Sequence, residues 1–167
     1  STDTVPSEPL YWKILLDEID FENVGFALKM PQDSLFVRTM LPKTTLKNGV
    51  IDLKEASYYV KSFGIDNAEL AYGPKEELFL QQIGLQLDSI YYCGKDIRAN
   101  IEEFVLKERS GLELVSTEGR IVSDSVLIEI PKFTMKTTAS SLDLQTKIGW
   151  DVLEMKKTGV LSAKINR

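Results

Sequence analysis

Apolar and polar residues alternate along most of this chain, beginning shortly after its N-terminus. Trp12, Ile14 and Leu16 are separated by single residues, and the same spacing recurs in many later segments. Alternation with a period of two residues is typical of β-strands that bury one face. The later alternating segments are residues 24–30, 35–40, 46–53, 58–63, 68–72, 83–87, 97–101, 104–106, 112–114, 126–130, 133–135 and 142–144.

Short connections separate these segments at intervals of roughly 8–12 residues, as in an all-β meander. We interpret Asn48-Gly49, Gly94, Ser110-Gly111 and Glu118-Gly119 as connections, and we expect Pro42 at a strand end or edge. Such connections predict antiparallel neighbours, because parallel strands need crossovers of a dozen or more residues. The predicted fold is all-β and mainly antiparallel, a curved or folded-over elongated sheet.

Residues 74–82 interrupt the alternation. Pro74 suits the first turn of a helix, and Glu76 and Glu77 suit its positive end. A helix and an excursion loop fit this segment equally well, so we expect at most one short helix near 74–82.

A shift of the sequence by 70 positions places Gly49 on Gly119 and Phe63 on Phe133. This echo predicts two diverged strand-meander repeats, stacked in one direction. Coincidence among many short β-segments is the alternative. The expected organisation is a disordered or linker segment at 1–10, a β-repeat domain at 11–155 with units at about 15–73 and 83–148, and a basic tail at 156–167.

Composition argues against an enzyme. The chain has 167 residues and no histidine, so it lacks the commonest general base and metal ligand. Cys93 is the single cysteine, which excludes an intramolecular disulfide or a thiolate zinc cluster. The net charge is −5, and no basic stripe indicates a nucleic-acid surface. No apolar run is long enough to span a membrane. We expect no catalytic site, no cofactor and no metal.

Carboxylate pairs do not change this expectation. In Asp17-Glu18, Glu76-Glu77 and Glu102-Glu103, neighbouring side chains on a strand point to opposite faces, so they do not converge on one substrate bond. The acidic run from Asp17 to Glu22 lacks the glycine of a calcium-binding loop.

Aromatic residues come in adjacent pairs, which leaves a second class of function open. A strand places one ring of each pair on each face, and exposed rings can form a platform for sugars. Cross-strand packing is the ordinary alternative. The pairs are Tyr11-Trp12, Tyr58-Tyr59 and Tyr91-Tyr92.

A long sheet with one apolar face must fold on itself, pair with another sheet or curve into a trough. An apolar trough suits acyl chains, so acyl chains or phospholipid are the expected ligand, although a closed core is the alternative. The residues predicted to line the groove are Phe26, Leu28, Val60, Phe63, Ile65, Phe104, Leu106, Ile130, Phe133 and Met135.

Several phrases of the sequence, in their order, resemble a known family. They include LDEIDF at 16–21, LKNGVIDL at 46–53, LDSIYYCGKDIRA at 87–99 and LKERSGL at 106–112. This order resembles the repeat region of the TamB translocation and assembly proteins of Bacteroides-type bacteria, within the AsmA-like superfamily.

The resemblance implies a function in the cell envelope. Such proteins are anchored in the inner membrane and extend through the periplasm as a long β-structure with a hydrophobic groove. They are linked to outer-membrane protein assembly and to phospholipid movement between the membranes. The expectation is a non-catalytic periplasmic segment that guides lipid or supports the outer-membrane assembly machinery. A cell-surface adhesion or glycan-binding module is the alternative.

Overall fold

The computed structural model describes residues 11–30, 35–153 and 163–166. The predicted linker at 1–10 and most of the predicted tail at 156–167 lie outside these ranges. The elements are β1 (Lys13–Met30), β2 (Leu35–Asp52), β3 (Ser57–Tyr72), β4 (Leu78–Cys93), β5 (Asp96–Glu108), β6 (Glu113–Ser123), β7 (Leu127–Thr137), β8 (Ser141–Gly149), α1 (Trp150–Leu153) and β9 (Ala163–Asn166).

The strands form one open sheet in which each strand pairs with the next along the chain. The order runs from β1 to β9 without a crossover, and every pair is antiparallel. The all-β, antiparallel prediction is confirmed. Within the predicted basic tail, β9 pairs with β8 at the end of the sheet.

Two of the predicted connections lie inside strands. Gly94 and Ser110-Gly111 are turns, as expected, but Asn48-Gly49 belongs to β2 and Glu118-Gly119 belongs to β6. The first strands are therefore longer than predicted, with 18 residues in both β1 and β2. Asn48 has a φ of 51°, so its turn-like conformation is accommodated within a strand.

Pro42 was expected at a strand end or edge, and this prediction is wrong. It lies within β2, which pairs with β1 on one side and with β3 on the other. The paired residues on both sides skip Pro42, which has no N–H to donate. The register places Asn23 and Asn67 across from it, and both have a φ of 55°. The neighbouring strands thus depart from regular β geometry where β2 lacks a donor.

Residues 74–82 form a turn and the start of β4 rather than a helix. The amide of Gly73 donates to the carbonyl oxygen of Phe36 at 2.8 Å, and the amide of Glu76 donates to that of Gly73 at 3.0 Å. Leu78 then begins β4. Pairing of this segment with β3 supplies its hydrogen bonds, so a helix is unnecessary. The short helix of the described chain is α1, near the end of the sheet.

The sheet does not show two repeats. Gly49 pairs with Val60, whereas its echo Gly119 pairs with Phe133. The two glycines therefore occupy different places relative to their partners. The units at 15–73 and 83–148 stay a prediction.

Almost no apolar side chain is buried. Among the described residues the buried apolar set is Ala68, Ala71 and Leu114, while Trp12 is 66% exposed. The accessible surface is 11878 Å², against about 8,300 Å² for a compact monomer of this mass. The described strands form one layer, and no second layer of described residues covers either face.

Candidate lipid-binding face

An apolar row crosses the sheet at right angles to the strands. Each member is the register partner of the next, from β1 to β8. Residues that pair directly across antiparallel strands place their side chains on the same face. We call this the central row, and it consists of Ile19, Leu46, Phe63, Leu87, Ile101, Gly119, Phe133 and Leu144.

A polar row runs beside it, shifted by one residue on every strand. Because successive side chains on a strand point to opposite faces, this row lies on the other side of the sheet. We call the two sides the apolar face and the polar face. The polar row consists of Glu18, Lys47, Ser62, Asp88, Asn100, Arg120 and Lys132.

The apolar positions change phase along β2, from odd-numbered residues to even-numbered ones. Ile51 and Gly49 are two residues apart, whereas the next apolar position toward the N-terminus, Leu46, is three residues from Gly49. A Cβ placed on Gly49 would lie 3.2 Å from the Cβ of Leu16 and 3.3 Å from a methyl carbon of Leu46. All of these groups therefore lie on one face. The positive φ of Asn48 rotates the chain between them and keeps the apolar face continuous.

The same device recurs at other positions. On β3, Asn67 separates Ile65 from Ala68, and these residues pair with Leu85 and Ile83, which are two apart on β4. Gln82 and Ser89 also have positive φ within β4, at 52° and 54°. Each lies where the apolar alternation slips by one residue. Single residues with left-handed φ therefore keep the apolar side chains on one face where the sequence alternation is interrupted.

Gly119 lets the central row pass from β5 to β7. A Cβ at this position would lie 2.8 Å from a ring carbon of Phe133 and 3.3 Å from the backbone oxygen of Lys132. The ring of Phe133 thus occupies the space above the glycine. A side chain here would displace that ring from the row.

The register places all of the predicted groove residues on the apolar face. Phe63 and Phe133 belong to the central row, and Ile65 and Met135 follow them two residues later on the same strands. Val60 pairs with Gly49, which shares its face with Leu46.

The remaining groove residues reach the same face through their partners. Phe104 pairs with Leu85, and Leu106 follows on the same strand. Ile130 pairs with Thr146, and Phe133 pairs with Leu144. Thr146 and Leu144 are two residues apart on β8 and share a face, so the register shift between Ile130 and Phe133 places both of these residues on that face.

At the other end of the sheet, Phe26 and Leu28 align through β2 with Leu70 and Tyr72 of β3. Leu70 follows Ala68 on the apolar face. Phe26 is 56% exposed and Leu28 is 39% exposed, while the other predicted groove residues are half-buried. None of the set belongs to a closed core.

Four apolar members of the central row are absent from the predicted groove residues. Ile19, Leu46, Leu87 and Ile101 contribute as much to it as Phe63 does. Leu46, Leu87 and Ile101 lie within the alternating segments at 46–53, 83–87 and 97–101, but only strand pairing aligns them with Ile19 and Phe63 in one row. The polar residue next to each of them in sequence was a usable signal.

The polar face is held by interactions between charged and amide side chains. Lys47 and Glu18, partners in the polar row, form an ion pair of 2.7 Å, and its hydrogen bond raises the pKa of Lys47. Gln86 donates from its side-chain amide to Asp66 at 3.1 Å, and the Gln86 side chain covers the buried Gly64. Because its side chains are charged or hydrogen-bonded, the polar face can remain exposed to water without a covering layer.

The turn between β3 and β4 folds over the polar face. Arg38 donates to Glu76 at 2.5 Å and Arg109 donates to it at 3.3 Å. The hydrogen bond from Arg38 is the main cause that lowers the pKa of Glu76. Arg109 also lies 4.6 Å from the ring centroid of Phe79. The buried Ala71 lies in register between Arg38 and Phe79, beneath this cluster.

The tyrosine pairs predicted to split between the faces do so. Tyr58 and Tyr92 are register partners on the apolar face, with ring centroids 6.0 Å apart and exposures of 44% and 46%. Tyr59 and Tyr91 pair on the polar face, where Arg98 lies 5.4 Å from the ring centroid of Tyr91.

Within the part of the chain that the structure describes, reactive groups are not brought together. The thiol of Cys93 contacts the carbonyl oxygen of Glu55 at 3.5 Å. Across residues 11–30, 35–153 and 163–166, no group of acidic or cysteine side chains is placed to hold a metal ion. In the same ranges, no helix has the length and apolar character needed to cross a membrane.

Comparison of the chain with protein-family models, curated protein sequences and solved structures found no match in any of the three. The resemblance to TamB and AsmA-like proteins therefore stays a prediction that rests on the quoted phrases alone.

Proposed function

We propose that this chain is a non-catalytic lipid-binding segment whose apolar face holds acyl chains. The observation that carries the proposal is the central row, which places seven apolar side chains and Gly119 on one face of eight successive strands with no described residue above them. A surface of this kind is costly in water and marks a site of interaction.

The energetics favour an extended apolar ligand. Each methylene buried against such a surface contributes about 0.8 kcal/mol, so a few carbons give measurable binding without any specific polar contact. The row spans seven strand spacings of about 4.8 Å, a length of about 34 Å. A long acyl chain can lie along it and remain in contact with several strands at once.

Paired crosslinking sites test this proposal. A photo-crosslinking residue, p-benzoylphenylalanine, replaces Phe133 in one variant and Lys132 in the other, and each protein is irradiated with palmitate. Because these neighbours point to opposite faces, we expect a palmitate adduct at 133 and none at 132 in mass spectra of the intact protein. Phe63 and Ser62 provide a second matched pair on β3.

Equal labelling at both positions of a pair would show that the probe does not distinguish the faces. Absence of any adduct, together with absence of co-purifying lipid in native mass spectra, would refute the proposal for this segment.

We further propose that the segment belongs to an envelope protein and works in the periplasm, in lipid transfer or in support of outer-membrane protein assembly. The phrases at 16–21, 46–53, 87–99 and 106–112 support this part. An open apolar sheet of successive antiparallel strands is compatible with it. Detection of the full-length parent protein in the periplasm-facing envelope fraction tests the location.

A second candidate function is glycan binding by the tyrosines. The half-exposed Tyr58 and Tyr92 rings, 6.0 Å apart, offer a platform on which a sugar ring can stack. A glycan array probed with the wild-type chain and with Tyr58→Ala distinguishes the candidates. A signal that is lost in the variant would favour glycan binding, and a blank array would exclude it for the glycans displayed.

A further inference from the structure

Two threonine hydroxyls on the apolar face have no hydrogen-bond partner within the described chain. They belong to Thr44, which is 7% exposed, and Thr117, which is 2% exposed. A buried hydroxyl without a partner destabilises the folded state, and valine would fill the same space without that penalty. Each of these hydroxyls therefore needs a hydrogen-bond acceptor that the described chain does not supply.

Both threonines lie close to the central row. Thr44 is two residues from Leu46 on β2 and pairs with Phe21 and Ile65. Thr117 is two residues from Gly119 on β6 and pairs with Met135. Spacing by two residues keeps each threonine on the same face as its neighbour in the row.

The side chains opposite the threonines can move aside. Phe21 lies on the edge strand and is 50% exposed. Met135 is unbranched, with a side chain that adapts to irregular contacts. A ligand that spreads over this face can displace them and bring an acceptor atom to either hydroxyl.

We propose that Thr44 and Thr117 donate hydrogen bonds to the ester carbonyl oxygens of acylglycerol lipids bound on the apolar face. Four strand spacings separate β2 from β6, about 19 Å, so the two threonines form separate seats along the row. An ester lipid supplies both the apolar chain that the row needs and the acceptor that the hydroxyls lack. This inference rests on the proposed lipid-binding function and specifies the lipid class.

The test compares two lipids that differ only in the carbonyl. Diheptanoylphosphatidylcholine and its diheptyl ether analogue are mixed in equal amounts, below their micelle concentrations, with the full chain, and the bound species are counted by native mass spectrometry. We expect the ester lipid to be favoured about five-fold, the ratio that corresponds to a net hydrogen-bond contribution of about 1 kcal/mol.

Variants assign this preference to the hydroxyls. Thr44→Val with Thr117→Val is expected to abolish the preference while both lipids still bind, and Thr44→Ser with Thr117→Ser is expected to keep it. Thermal unfolding checks the fold, and the valine variant is expected to be at least as stable as the wild type because it buries no unpaired hydroxyl.

The outcomes separate the two proposals. Equal binding of ester and ether lipid to the wild type would overturn the role of the hydroxyls and leave lipid binding intact. A preference that survives in the valine variant would also overturn it. Failure of both lipids to bind would instead refute the lipid-binding function.

Discussion

The two faces of this sheet are made by the same strands, one residue apart, yet they differ in the side chains that they present. On the polar face, Lys47 pairs with Glu18, and the β3–β4 turn covers Ala71 with an ion-pair cluster. On the apolar face, Phe63 and Phe133 lie in a row with no described residue above it. Strand register, rather than overall composition, therefore decides which surface needs a partner.

A charge placed on the central row should have the largest effect. Leu87→Lys introduces an ammonium group beside the bound acyl chain, where its desolvation is unfavourable. We expect palmitate binding to weaken by more than about ten-fold, a loss of about 1.4 kcal/mol or more. Isothermal titration calorimetry measures it. Asp88→Lys, on the neighbouring residue of the polar face, should bind as the wild type does. Equal losses in both variants would break the distinction between the faces.

A methyl group at Gly119 should disturb the row itself. In Gly119→Ala the new carbon meets the Phe133 ring at 2.8 Å, so the ring must shift. Such overpacking costs about 1–3 kcal/mol in the free energy of unfolding, which urea denaturation measures. Gly25→Ala is the control, since its nearest neighbour is the flexible side chain of Met40 at 3.0 Å. A smaller loss at Gly119 than at Gly25 would contradict the packing described for Phe133.

Asn48 should be replaceable by glycine but not by a branched residue. Its φ of 51° is in the left-handed region, where a β-branched side chain adds about 1–2 kcal/mol of strain. We expect Asn48→Val to lower the free energy of unfolding by about that amount and Asn48→Gly to leave it nearly unchanged. Similar stabilities for the two variants would show that the left-handed conformation of residue 48 is not what keeps Leu46 and Gly49 on the same face.

The polar face should respond weakly to pH. The pKa of Glu76 in the folded protein lies below its ordinary value of 4.5, mainly through the hydrogen bond from Arg38. The resulting stabilisation is complete above the ordinary pKa and is lost as the pH falls through the lowered one. We expect the wild type to lose its small advantage over Glu76→Gln as the pH falls below about 4.5, as measured by thermal unfolding. An unchanged difference from neutral to strongly acidic pH would contradict the ion pair.

The sequence predicted the fold class because alternation is a local signal, and each strand shows it. It did not predict the phase slips, because Asn48-Gly49 is equally typical of a turn and of a left-handed residue within a strand. Only pairing with β1 and β3 decides between them. The same limit applies to Pro42, whose place in a paired strand depends on the geometry of Asn23 and Asn67.

The candidate site was partly accessible from the sequence. The predicted groove residues were chosen as local apolar positions, and the register places them on one face. Ile19, Leu46, Leu87 and Ile101 were missed because their membership in the row follows from long-range register, which no short segment contains.

One measurement tests the open, two-sided sheet most directly. Single cysteines at Phe133 and Lys132, in a Cys93→Ser background, carry an environment-sensitive fluorophore such as acrylodan. We expect a blue shift on adding palmitate when the fluorophore is at position 133 and no shift when it is at position 132. A fluorophore at 133 that is already blue-shifted without palmitate and unchanged by it would contradict an open apolar face, because that face would then be covered by the chain itself.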